Sequence, residues 1–92
     1  MFYNRGNLIM RVMKSSHGST LNVAQHVILG NFWEYYLEPT DSDGIAFGLV
    51  MGFENELGYV DMKHIKPHAM SIASGDELED IMPAKGWRWA DE

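Results

Sequence analysis

Cysteine is absent from this chain of 92 residues. That excludes a disulfide framework, a thiol nucleophile and a cysteine-based zinc site. It also fits a protein that needs no oxidising compartment. No apolar run reaches the length of about 18 residues that a membrane-spanning helix requires, so no membrane contact is expected. Residues 1–16 lack the apolar core and small-residue cleavage site of a secretory signal. A cytoplasmic location is the expectation.

Basic residues are missing from the whole centre. Residues 21–62 contain no Lys or Arg and hold Glu34, Glu38, Asp41, Asp43, Glu54, Glu56 and Asp61. The flanks differ: residues 1–20 carry +3, and residues 63–92 carry −2. A surface with this central charge repels nucleic acid and attracts basic proteins. The same charge also serves solubility. Direct nucleic-acid binding is disfavoured further because a single-strand path needs cations between its stacking rings.

What remains is an ordinary globular composition, 46% apolar and 12% aromatic. A chain of this length forms one domain, residues 1–92, with a stability of about 5–10 kcal/mol. The clearest pattern is "AFGLVMGFENELGYVDM". Ile45, Phe47, Leu49, Met51 and Phe53 recur at spacing two, and the small residues Ala46, Gly48, Val50 and Gly52 lie between them. In a strand the two sets face opposite ways. The large set predicts a core face, and the small set predicts a flat face suited to close approach. Glu54-Asn55-Glu56 predicts the bend, where Asn55 tolerates a left-handed conformation, and a further strand begins after Gly58.

Upstream, Trp33, Tyr35 and Leu37 alternate with Glu34, Tyr36 and Glu38, which predicts a half-buried strand with an acidic outer face. "PTDSDG" is turn chemistry. "AQHVIL" reads as another strand, with a helix closed by Gly30 as the alternative. Residues 8–14 fit a helix or a strand, and "SSHGST" is a loop. "SGDELEDIMP" predicts a short helix capped by Ser74 or Asp76, with Leu78, Ile81 and Met82 as its apolar stripe. Trp87 and Trp89 share one face of an extended tail that docks on the body. The fold class expected is α+β, with an antiparallel sheet of three to five strands and one or two short helices.

Residues 32–65 resemble the core block of a domain-of-unknown-function family of small proteins borne on plasmids, conjugative elements and phages. The matching positions are Trp33, Tyr35 and Glu38, then Phe47-Gly48-Leu49-Val50, Gly52-Phe53-Glu54 and Glu56-Leu57-Gly58-Tyr59. Val60-Asp61-Met62-Lys63 departs from the family's pattern, as does the stretch after Pro67. The resemblance implies a mobile-element setting in which antirestriction genes are frequent neighbours. It implies no reaction and no cofactor.

Three functions follow as expectations. The first is a non-enzymatic accessory protein that binds a host protein with a basic surface, as an anti-restriction or anti-CRISPR inhibitor would. Its seven central acids, Glu34, Glu38, Asp41, Asp43, Glu54, Glu56 and Asp61, would mimic nucleic acid. The second is a homo-oligomeric interaction module, most simply a homodimer. The third is a metal-dependent enzyme using Asp61, His64 and His68, whose spacing on a helix would converge three ligands. Pro67 argues against that helix. Glu54 and Glu56, solvated in a bend, have no reason to work as a catalytic pair.

Overall fold

The computed structural model describes residues 2–5, 8–30 and 32–92. It places the strands in two antiparallel sheets joined by short helical turns, an α+β domain. The first sheet comprises β1 (Phe2–Arg5), β2 (Leu8–Ser15), β3 (Thr20–Val23) and β9 (Trp87–Trp89). Strand β2 is its spine. It pairs with β3 along one edge, and along the other it pairs first with β1 and then with β9. This double pairing settles residues 8–14 as strand: a helix there would leave three partners without a ladder.

The second sheet has the order β7-β6-β5-β4-β8, from β7 (Asn55–Asp61), β6 (Ile45–Met51), β5 (Glu34–Leu37), β4 (Gln25–Ile28) and β8 (Ser71–Ser74). The "AQHVIL" segment is thus a strand, paired with β5 so that His26 opposes Tyr36. After β7 come α1 (Met62–Ile65) and a 3-10 turn (Lys66–His68). Asp61 caps α1 by accepting from the Lys63 N–H at 3.0 Å.

Two cores result, one on each face of the second sheet. The first lies between the sheets and holds Met13, Leu21, Val23, Tyr36, Leu49 and Trp89, closed by Leu78. The second lies under α1 and holds Val27, Tyr35, Leu37, Ala46, Val60 and Met62. Both faces of β5 and β6 are therefore covered, and the half-buried expectation needs correction. Tyr35, Tyr36 and Leu37 are all buried, whereas Trp33 lies beyond the strand and is partly exposed. Along β6, Leu49 is buried in the first core with Phe47 and Met51 packed beside it. The small face, through Ala46 and Val50, packs in the second core. The close approach that its small residues predicted is realised by α1 and by the neighbouring strand. A methyl on Gly48 would collide with the Tyr36 carbonyl oxygen and come within 2.8 Å of Leu37 Cα.

The bend between β6 and β7 lies two residues earlier than expected. It consists of Gly52, Phe53 and Glu54, and Asn55 already pairs with Met51. Asn55 and Glu56 are strand residues, and no described non-glycine residue has positive φ. Phe53, placed by alternation on the core face, projects from the bend and is 86% exposed.

The helix at residues 75–80 is 3-10 rather than α (Gly75–Asp80). Glu77 Oε1 accepts from the Ser74 N–H at 3.1 Å, closing its first turn. With a repeat of three, Leu78 and Ile81 fall on one side and Met82 rotates away. Leu78 is buried, and Met82 is exposed. The C-terminal strand docks as expected. Trp89 is completely buried, and its Nε1–H donates to the Ile81 carbonyl at 2.8 Å.

Candidate recognition surface

The seven acids of the central stretch divide by what their carboxylates do. Four serve the fold. Glu38 accepts from the Asn22 N–H at 2.9 Å and so ties the end of β5 to β3. Asp41 accepts from the N–H groups of Asp43 and Ile45, both at 2.9 Å, which builds the turn into β6. Asp61 caps α1, with His64 Nε2 at 3.4 Å. Glu34 receives His26 Nε2 at 2.6 Å and lies 3.3 Å from the Tyr36 hydroxyl. The side chains of Asp43, Glu54 and Glu56 make no hydrogen bond or ion pair among the described residues, and all three are exposed.

The acids are also divided in space. Glu38 and Asp41 line a cleft of about 450 Å³ with Ile45, Phe47 and Tyr59. Phe47 and Tyr59, opposed in the ladder, have ring centroids 5.1 Å apart, yet Tyr59 is 79% exposed. Glu56 lines a neighbouring cleft with Leu49 and Leu57, where His17 and Lys85 also stand. Glu34 belongs to a third cleft, at the end of the sheet where the β4–β5 and β6–β7 connections meet.

Sequence reasoning missed the group around Glu34. His26 is 4% exposed, and its ring centroid lies 4.6 Å from that of Tyr36. Tyr36 donates its hydroxyl to the Met82 carbonyl at 2.7 Å. Burial first, then the charge and hydrogen bond of Glu34, push the Tyr36 phenol well above its usual value of 10.0. The signal was present in a weak form. A hairpin turning through Gly30 puts residues 26 and 34 on the same face, diagonal across the pair.

Other groups singled out in the sequence stay apart. Asp61 and His64 meet, but His68 does not join them, and no cluster of three metal-ligating side chains exists among the described residues. In the "SSHGST" loop, Ser15 Oγ accepts from the N–H groups of His17 and Ser19, and Gly18 takes φ 91°. That is a turn held by its own hydroxyl. Among the described residues no helix is long and apolar enough to cross a membrane.

No family model, curated protein or solved structure matches the chain.

Proposed function

We propose that this chain is a non-enzymatic accessory protein of a phage or plasmid that binds a basic surface of a host protein in the cytoplasm. One observation carries the reading. Unengaged carboxylates and exposed apolar side chains occupy the same hairpin: Glu54 follows Phe53 in the bend, and Glu56, Leu57 and Tyr59 follow on β7. Carboxylates already engaged in caps and turns would add little, but Glu54 and Glu56, with Asp43 from the turn before β6, are open to cations. Exposed aromatics supply apolar contact, and acids supply attraction and register, the usual division in a recognition surface. A counter-defence role, in which the acids occupy a site meant for nucleic acid, fits this charge and the resemblance of residues 32–65.

The test is a pull-down from bacterial lysate with the wild type and a D43N/E54Q/E56Q variant. The wild type should retain a host protein that salt releases, and the variant should lose it. Retention by the variant with the same salt dependence would sink the proposal.

A second reading has its own observation. Among the described residues strand β7 pairs with β6 alone, which leaves its outer edge open to another strand. A homodimer could form there. Light scattering over a concentration series that shows a monomer throughout would remove it.

A further inference from the structure

The cleft at the end of the second sheet has the makings of a cation site. Phe32 and Trp33 come from the β4–β5 connection, and Phe53 comes from the β6–β7 bend. Phe32 stacks on Phe53 with centroids 6.5 Å apart, and Trp33 meets Phe53 edge-on at 5.8 Å. These contacts leave Phe32 71% and Phe53 86% exposed. Folding gains little from rings so placed, and exposed apolar groups of this kind mark contact surfaces. Gly52 makes the arrangement possible. A methyl there would come within 2.6 Å of Trp33 Cε3, so only glycine lets the indole lie against the bend.

The cleft itself, about 440 Å³, is lined by Ile28, Phe32, Trp33 and Met51, with Glu34 and Asn55 as its polar side chains. Among the described residues no Lys or Arg lines it. Glu34 engages His26 and Tyr36 through Oε2 alone. Its Oε1 accepts no hydrogen bond among the described residues, and the side chain is 36% exposed. A carboxylate held through one oxygen, in a cleft lined by aromatic rings, complements a planar cationic donor. Arginine fits better than lysine. A guanidinium stacks on a ring while donating N–H groups in its plane, and it sheds water more readily than an ammonium.

We infer that this cleft receives an arginine side chain of the partner protein, stacked on Trp33 and donating to Glu34 Oε1. The inference rests on the reading of the chain as a binder of basic surfaces, and it names the anchor. His26 acts as a positioning residue that fixes the carboxylate. The same chain already builds such a site internally. Arg11 lies 4.3 Å over the Trp89 ring while its guanidinium donates to Asp91.

The experiment is an NMR titration of the full chain with a capped Gly-Gly-Arg-Gly-Gly peptide, its citrulline twin and its lysine twin. The arginine peptide should shift the Trp33 indole and the Ile28 and Met51 amides and leave the buried Trp89 indole unmoved. Losing the charge or the stacking should each weaken binding about five- to tenfold. That applies to the citrulline twin and to E34Q for the charge, and to W33L, read at the Ile28 and Met51 amides, for the stacking. The lysine twin should also bind more weakly. Silence at Trp33, or equal binding of any twin, overturns the inference. The broader proposal is scored separately, because D43N/E54Q/E56Q leaves every lining residue of this cleft intact. If that variant keeps the host protein and the arginine peptide still binds at Trp33, the acidic-face reading falls and the cleft stands.

Discussion

The guanidinium carbon of Arg11 lies 4.3 Å from the centroid of the Trp89 ring, joining the middle of the first sheet to the last strand. Arg11 is 6% exposed, and Nη1 donates to the Leu78 carbonyl at 3.0 Å while Nε and Nη2 reach Asp91. Hydrogen bonds to a charged group of this kind contribute about 1.5–3 kcal/mol. Arg11→Met should lower the unfolding free energy by that amount, seen as a lower urea midpoint with an unchanged slope.

The pairing sets a pH dependence. The hydrogen bond from Arg11, more than any other influence, holds the Asp91 carboxyl down from 3.8 to about 2. Between those values the unfolded chain binds more protons than the folded one. The stabilisation is therefore complete above about pH 4 and is lost as the pH falls toward 2. In urea unfolding across that range, Asp91→Asn should show a shallower loss of stability than the wild type.

Gly48 and Gly58 face each other in the β6–β7 ladder but differ in surroundings. A side chain at Gly48 meets the backbone of β5, whereas at Gly58 it meets open space. Gly48→Ala should cost about 1–3 kcal/mol through overpacking. Gly58→Ala should be neutral or stabilising by about 0.5–1 kcal/mol, since it relieves the entropy of an unconstrained residue. Thermal unfolding of the two variants checks the contrast.

Trp89 is completely buried and hydrogen-bonded. Trp89→Ala should cost about 3–5 kcal/mol. That is a large share of the stability available to a domain of this size, and near-UV circular dichroism should weaken accordingly.

The acids should separate into two classes in stability measurements. D43N/E54Q/E56Q removes no carboxylate contact and should unfold within about 0.5 kcal/mol of the wild type. Asp61→Ala removes the cap of α1 and should cost about 0.5–2 kcal/mol.

The strands were largely legible because alternation survives in the residues themselves. Residues 45–51 and 34–37 announce strands whatever surrounds them. Their distribution between two sheets was not legible, because alternation tells which side chains share a face and not what covers it. Tyr36 reads as an outer-face residue until β2, β3 and β9 close over it. The bend was misplaced because Glu-Asn-Glu is good turn chemistry, yet the ladder continues to Asn55. Burial of Arg11 could not be read at all, since its carboxylate partner lies 80 positions away. Among the candidate residues, composition revealed the acidity of the centre. It could not tell Glu38, Asp41 and Asp61, engaged by backbone N–H groups, from Asp43, Glu54 and Glu56.

Strand β2 pairs with β9, so Met13 meets Trp89 across nearly the whole chain. During synthesis the first sheet must wait. Its spine emerges from the ribosome before the strands of the second sheet, but the strand that completes one edge emerges after them. The hairpins of the second sheet, built from nearer neighbours, can form while the chain is still growing. Closing so long a loop slows folding, and until it closes Met13, Leu21 and Val23 lack the indole that fills their side of the core. Nascent chains halted before residue 87 should therefore carry a half-covered first core, the kind of surface that chaperones hold.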